Sequence, residues 1–254
     1  MKRSRIPKAD YSKIAEYYDR VRSAPAPILV SKIIEFGKID KKSTVLDVGC
    51  GTGRFSITIS NITGSDICAI DPSIEMLKQA TLKDRSKHVL LIRGDGQHLP
   101  FQDSIFDCVY MTATLHHIED KGKAIREVYR VLRRDGSCVI MTFSHYAIKK
   151  HVTRDFPGVV AIDLKRIPSV PSVKRMTKTT GFKDIHHHTV KVDEGFVSID
   201  EYLERVSNKY MSTLTLLDEE AFQRGLGIFE KTIRSKHGGQ IRRISRFVLV
   251  TGQK

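Results

Sequence analysis

The stretch that decides the fold is Val45-Leu46-Asp47-Val48-Gly49-Cys50-Gly51-Thr52-Gly53. The apolar residues before the first glycine fit a parallel strand that is covered on both faces. Glycine at every second position of the following turn removes the Cβ atoms that would keep a ligand away from the backbone. The stretch therefore predicts a buried strand, a ligand-binding turn and then a helix.

A carboxylate, Asp71, ends the next apolar segment. In dinucleotide-binding folds, a carboxylate at the tip of the second strand accepts hydrogen bonds from the ribose hydroxyls. Together with the glycine turn, Asp71 predicts a site for an adenosine-bearing cofactor. The glycine spacing differs from the G-x-G-x-x-G of nicotinamide enzymes, which disfavours a dehydrogenase. The alternative for Asp71 is an N-cap of the helix that begins near Pro72.

Seven apolar segments have the pattern of strands: Thr44–Val48, Asp66–Ile70, His88–Ile92, Ile105–Met111, Ser137–Phe143, Lys183–Val192 and Ile241–Thr251. The first five alternate with helical patterns, such as the apolar residues that recur at helical spacing from Ala124 to Leu132. Strands and helices in alternation predict an α/β fold with a parallel sheet.

The chain divides into four predicted parts: helices that cover the cofactor site (1–42), a cofactor-binding core (43–192), a helical lid insertion (193–240) and the final strand of the core sheet (241–254). Helical patterns are expected in the first and third parts, at Tyr11–Arg22, Pro27–Phe36, Ile199–Ser207 and Leu217–Arg234. The segment His145–Pro171 is basic and contains three prolines, and we predict that it is irregular.

The net charge of +14 is unevenly distributed. Residues 43–144 hold 12 basic and 12 acidic side chains, whereas residues 1–42 hold 11 against 5 and residues 145–254 hold 20 against 12. This excess favours an anionic acceptor or surface, and the alternative is a basic solvated exterior.

Other features of the composition predict a cytoplasmic protein. No apolar run reaches the ~20 residues needed to span a bilayer, and the first ten residues lack the apolar stretch of a signal peptide. The four cysteines are widely separated and form no C-x-x-C pair, so we interpret them as reduced structural thiols.

Four further segments follow in a fixed order: Ala69–Leu77, Gly94–Phe101, Phe106–His117 and Glu127–Gly136. Together with the glycine turn, they resemble the class I S-adenosylmethionine-dependent methyltransferases, in particular the small-molecule group that includes the ubiquinone/menaquinone-type enzymes (methyltransferase type 11). The resemblance covers about residues 43–144. It implies S-adenosylmethionine as cofactor, methyl transfer to a small molecule, and a Rossmann-like, mostly parallel seven-stranded sheet with an antiparallel last strand.

The resemblance also implies a cofactor site. Residues near the methionine part of the cofactor would be Asp47, Gly49 and Gly51. Residues near its ribose and adenine would be Asp71, Pro72, Met76 (or Ile74), Asp95 and Gly96. Residues where cofactor and acceptor meet would be Thr112 and Leu115, with Tyr18 closing over the site. Asp95 has the alternative of a plain turn aspartate, and Tyr18 that of ordinary helix packing.

Two histidines, His116 and His117, follow the fourth strand and are candidates for a general base near neutral pH. The alternative is that they pack against or cap the next helix. A second histidine run, His186–His188, does not predict a metal site, because an alternating strand places only two of its rings on one face and no third ligand is evident.

Two other functions remain as alternatives to small-molecule methylation. The basic flanks would suit an RNA or protein methyltransferase, but the chain lacks the Asp/Asn-Pro-Pro-aromatic signature and the Pro-Cys pair of such enzymes. A catalytically silent protein that binds the cofactor and regulates a partner would carry the same cofactor residues.

Overall fold

The computed structural model describes residues 24–85 and 88–254. Seven strands form one sheet in these residues: β1 (Thr44–Val48), β2 (Asp66–Asp71), β3 (Val89–Arg93), β4 (Phe106–Thr112), β5 (Leu132–Thr142), β6 (Lys183–Ser198) and β7 (Gln240–Gln253). Their order is β3-β2-β1-β4-β5-β7-β6. Six of these strands are parallel to one another, and β7 runs in the opposite direction. The predicted Rossmann-like sheet with an antiparallel last strand is therefore confirmed.

The described α-helices are α1 (Pro27–Gly37), α2 (Arg54–Thr63), α3 (Ile74–Lys83), α4 (Lys121–Val131), α5 (His145–Lys150), α6 (Val159–Arg166), α7 (Val170–Thr180), α8 (Ile199–Ser207) and α9 (Glu219–Lys236). Helices α1 to α3 pack on one face of the sheet, whereas α4 and α7 pack on the other. Consecutive side chains of β1 pack on opposite faces, as Val45 and Leu46 do, because side-chain direction alternates along a strand.

The prediction that His145–Pro171 is irregular is wrong, because this segment contains α5, α6 and the start of α7. Its prolines stand outside the helices or at their beginnings. Pro157 lies between two helical segments, Pro168 precedes the N-cap Ser169, and Pro171 lies in the first turn of α7. Proline is tolerated at these positions because no helical carbonyl needs its missing N–H.

Strands β6 and β7 extend beyond the end of β5. β7 pairs with β5 only from Val248 onward, whereas the preceding residues 241–247 pair with β6 alone. Residues 190–198 of β6 and 240–247 of β7 form a two-stranded segment, here called the ribbon. Since β7 is antiparallel, the ribbon projects past the carboxyl ends of the parallel strands. The ribbon takes in Asp193–Ser198, which lie in the predicted lid.

Residues 145–167 and 193–240, here called the cover, share one hydrophobic cluster that the ribbon carries over the carboxyl edge of the sheet. Its largest buried side chains are Phe156, Phe222 and Phe229, and the Phe156 ring lies 5.8 Å from that of Phe222. The two predicted helices of the lid are present as α8 and α9, and residues 145–167 pack with them. The predicted helix Tyr11–Arg22, together with Tyr18, lies outside the described residues.

No helix in the described part of the chain combines the length and the apolar character needed to cross a bilayer.

Candidate active site

The glycine turn after β1 is open to a ligand. Gly49, Gly51 and Gly53 all have positive φ angles, a conformation that glycine adopts without strain. The turn is held by its neighbours, since Gly49 N donates to Ile70 O at 2.7 Å and Thr114 Oγ1 donates to Gly49 O at 3.0 Å. A Cβ atom at Gly51 would meet no other atom within 4 Å. The backbone at Gly51 therefore faces open space.

The carboxylate of Asp71 holds this turn and the start of α3. One oxygen accepts a hydrogen bond from Gly51 N at 2.8 Å, and the other accepts one from Ser73 N at 2.9 Å. Burial raises the pKa of Asp71, while these two N–H groups lower it. The N-cap of α3 is Ser73, so the alternative of Asp71 as the N-cap is wrong. Each carboxylate oxygen keeps one acceptor position, which suits a pair of hydroxyls.

Asp47 lies fully buried in β1, beneath the turn. Ser56 Oγ donates to its Oδ2 at 2.6 Å, whereas Oδ1 has no hydrogen-bond partner in the described residues. Burial raises the pKa of Asp47 to about 7, opposed by the hydrogen bond from Ser56, and the negative charge of Asp71 raises it further. Asp47 is not among the residues that line the cleft, so this unpartnered oxygen lies beneath the glycine turn.

We expect replacement of Asp47 with asparagine to change how stability depends on pH. The pKa of this carboxyl rises from 3.8 to about 7 on folding, so the folded state binds the extra proton in this interval. The contribution of protonated Asp47 is present below pH 4 and is lost as the pH rises through 7. Urea unfolding should therefore show wild-type stability falling relative to Asp47→Asn between pH 4 and 7. If the free energies of unfolding of the two proteins changed with pH in parallel over this interval, the pKa of Asp47 would not be raised by folding.

Most of the predicted cofactor residues line one cleft, but Asp47 does not. Those that line it are Gly49, Gly51, Asp71, Pro72, Met76, Asp95, Gly96 and Thr112. Asp95 lines the cleft and also forms a turn, since its oxygens accept hydrogen bonds from Gln97 N and Gln97 Nε2, both at 2.9 Å. Leu115 is placed differently: it is fully buried in the hydrophobic core, where it packs with the residues under β4.

His116 and His117 form a short 3₁₀ helix, Leu115–His117, just after β4. Both rings line the cleft, with centroids 4.1 Å apart. His116 is buried, whereas His117 is half-buried. In the second histidine run, the ring of His188 stacks on Phe36 at 4.2 Å. The described residues contain no group of His, Cys, Asp and Glu side chains arranged to hold a metal.

The cleft has a volume of about 550 Å³ and continues under the cover. The far end is lined by residues from α5, α6, the segment 211–213 and the ribbon. Here Arg166 is ion-paired with Asp163 at 3.0 Å, and its Nη2 donates to Ser212 Oγ and Thr213 Oγ1. Sequence reasoning missed this end, because residues 145–167 were predicted to be irregular and carried no motif.

His151 also lines the far end and is half-buried. Burial lowers the pKa of His151 to about 4. Nδ1 accepts a hydrogen bond from Thr153 N at 3.3 Å and lies 2.7 Å from Thr153 Oγ1. At neutral pH the ring is therefore uncharged, with its proton on Nε2, which makes it a hydrogen-bond donor and a poor base.

The residues of the near end fit a cofactor that carries a ribose. Asp71 keeps two acceptor positions, and the backbone at Gly51 is uncovered. In addition, residues 46–140 match a family model described as a methyltransferase domain. Residues 46–140 of this chain are a methyltransferase domain, and S-adenosylmethionine is the cofactor of such domains.

Known relatives and solved structures agree with this assignment. The ubiquinone/menaquinone biosynthesis C-methyltransferase UbiE of Pectobacterium atrosepticum is 27% identical over 180 residues, which are 61% of this chain and 72% of the relative. A candidate methyltransferase from an antibiotic biosynthesis pathway of Anabaena variabilis is 22% identical, with a TM-score of 0.69, and the match covers 89% of this chain and 97% of that one.

The phosphoethanolamine N-methyltransferase 2 of Haemonchus contortus, solved with S-adenosyl-L-methionine, is 17% identical, with a TM-score of 0.61. The match covers 96% of this chain and 56% of the Haemonchus chain. At such identities, the two solved structures establish the shared fold alone.

Proposed function

We propose that the protein transfers the methyl group of S-adenosylmethionine to a small molecule that occupies the far end of the cleft. The observation that carries this proposal is the continuity of the cleft. One end is lined by the glycine turn, Asp71 and Asp95, and the other end lies under the cover. The UbiE relative, which acts in ubiquinone and menaquinone biosynthesis, supports a small-molecule acceptor.

The cofactor residues have distinct tasks in this proposal. Asp71 accepts hydrogen bonds from the ribose hydroxyls with its two spare positions, and Asp47 lies beneath the turn that meets the methionine part. Met76 is buried and packs beside the adenine, and Asp95 accepts a hydrogen bond from the adenine amino group. These contacts align the cofactor with the acceptor, which is the main requirement of a direct transfer.

Bound S-adenosylmethionine supplies a methyl group on a positively charged sulfur, so a universal catalytic residue is not required. If the acceptor loses a proton, His116 or His117 is the candidate base, because both rings line the middle of the cleft. His117 is the more accessible of the two. His151 serves a different purpose in the proposal, since its low pKa makes it a neutral donor to the acceptor.

The cover excludes water from the acceptor end, and it supports a small acceptor over a polymer. Residues of α5, α6 and the segment 211–213 enclose the far end, whereas RNA or a folded protein needs an open groove. The cytoplasmic location predicted from the sequence stays a prediction.

The function is tested by incubating the purified protein with methyl-labelled S-adenosylmethionine and fractionated cell extract. We expect label in the small-molecule fraction, and none above background with the Asp71→Ala protein in the same extract. Label in RNA or protein would favour the alternative acceptors. Cofactor binding without any transfer would favour the silent regulator.

A second prediction concerns the cover. In α9, a Cβ atom at Gly225 would lie 2.4 Å from Phe156 Cε1, whereas one at Gly227 would meet nothing within 4 Å. Gly225→Ala should force α9 away from Phe156, destabilise the cover by about 1–3 kcal/mol and slow transfer. Affinity for the cofactor, measured by calorimetry, should stay unchanged, because the proposed cofactor residues lie outside the cover.

Gly227→Ala is the matched control in the same helix. It should stabilise the protein by up to about 1 kcal/mol through helix propensity, and transfer should continue at the wild-type rate. Normal transfer by Gly225→Ala, with its stability reduced, would show that the cover does not take part in the reaction.

A further inference from the structure

We propose that the acceptor end of the cleft is an anion site, and that Arg246, with Arg166, binds a carboxylate or phosphate group attached to an apolar body. This inference rests on the proposed function, because it names the chemical class of the acceptor. It depends on two guanidinium groups that no motif of the sequence singled out.

Arg246 is the first of these groups. It lies on the part of β7 that pairs with β6 alone, and its side chain lines the cleft. No hydrogen bond or ion pair joins this side chain to another residue in the described ranges 24–85 and 88–254. The other arginines of this ribbon are paired, Arg242 with Asp193 and Arg243 with Glu194. A half-buried cation without a counter-ion is a ready partner for an anionic ligand.

Arg166 is the second group. Its side chain is only 8% exposed, and it lines the same end of the cleft. Its Nε donates to Asp163, and its Nη2 donates to Ser212 and Thr213. These hydrogen bonds hold the guanidinium plane in place. In the described residues, Nη1 has no hydrogen-bond partner. A fixed guanidinium with one unused nitrogen can donate to an oxyanion at little entropic cost.

The charges that surround this end leave it positive. Asp163 is neutralised by its ion pair with Arg166. His151 is uncharged at neutral pH, because burial lowers its pKa to about 4. Arg246 therefore supplies one uncompensated positive charge. The other acidic residues of the cleft, Asp71, Glu75 and Asp95, lie at the cofactor end.

The remaining surface of the acceptor end is mostly apolar, with contributions from Ala147, Ile148, Val159, Ile167, Met211 and Ile244. A free inorganic anion would leave this surface in contact with water. An organic acid or phosphate ester would bury it while its oxygens meet the two guanidinium groups. The acceptor is therefore an amphiphilic anion.

Three probes with the same ring test this site: benzoate, phenyl phosphate and neutral benzamide. Their dissociation constants are measured by calorimetry on the full chain, with and without S-adenosylhomocysteine. We expect at least one anion to bind about tenfold or more tightly than benzamide, as hydrogen bonds to charged groups imply. A preference for benzoate indicates a carboxylate acceptor, and a preference for phenyl phosphate indicates a phosphate ester.

Arg246→Gln should abolish the preference for the anion, whereas Arg246→Lys should keep most of it. The matched control is Arg242→Gln, which removes an exposed, ion-paired arginine from the same strand and should leave the preference intact. The inference is wrong if neither anion binds, if benzamide binds as tightly as both, or if Arg246→Gln keeps the preference. Failure to bind S-adenosylhomocysteine would instead count against the proposed function.

Discussion

Replacing Asp71 with alanine is expected to weaken cofactor binding by about 2–4 kcal/mol, at about 1–2 kcal/mol for each of two ribose hydrogen bonds. The substitution also removes the acceptor for Gly51 N and Ser73 N, which hold the glycine turn and the start of α3. Both effects act at the same end of the cleft, and this variant should therefore lose more affinity than any other single change in a cofactor side chain.

Calorimetry with S-adenosylhomocysteine measures this loss directly. The matched control is Asp66→Ala, at the opposite end of the same strand, where the side chain is 88% exposed. Asp66→Ala should bind as the wild type does. Circular dichroism and urea unfolding separate lost contacts from lost structure, and Asp71→Ala should remain folded. Unchanged affinity in a folded Asp71→Ala protein would remove this carboxylate from the cofactor site.

The proposed cofactor end could be predicted from the sequence, because its residues lie close together along the chain. The strand, the glycine turn and the carboxylate that ends β2 lie within one βαβ unit, where the chain order alone brings them together. Leu115 is an exception among the predicted residues, since its apolar side chain follows the fourth strand but points into the core. Position after a strand does not determine which face a side chain takes.

The Glu127–Gly136 segment carried part of the family resemblance, and in the structure its side chains hold a neighbouring loop in place. Arg130 donates to Leu99 O and Phe101 O, and Glu127 accepts from Leu99 N at 2.8 Å. These bonds tie the chain that follows Asp95 to α4. The segment thus helps to hold the loop that contains Asp95, a proposed cofactor residue.

The acceptor end was not accessible to sequence reasoning for two physical reasons. Helices α5 and α6 have only six and eight residues, which is too short for a periodic apolar pattern to stand out. The second reason is the pairing of β7, which lies beside β5 only from Val248 onward. The strand pattern of residues 241–251 does not show that Arg246 lies beyond β5, and only the tertiary structure places it over the carboxyl edge.

Two glycine substitutions in the cofactor turn are expected to separate folding from binding. At Gly49, with φ of 76°, a Cβ atom would lie 2.1 Å from Thr114 Cγ2 and 2.6 Å from Thr114 Oγ1. Thr114 cannot withdraw freely, because its hydroxyl donates to Gly49 O and Thr112 O. Left-handed strain and overpacking together predict that Gly49→Ala loses about 2–5 kcal/mol of stability.

At Gly51, with φ of 56°, a Cβ atom meets no protein atom, so Gly51→Ala carries only the left-handed strain of about 1–2 kcal/mol. The added methyl group faces the cleft, where it should weaken S-adenosylhomocysteine binding by about tenfold or more. Urea unfolding and calorimetry on both variants check the pair. If Gly51→Ala binds the cofactor at wild-type affinity while it is folded, the uncovered backbone of this turn is not where the cofactor lies.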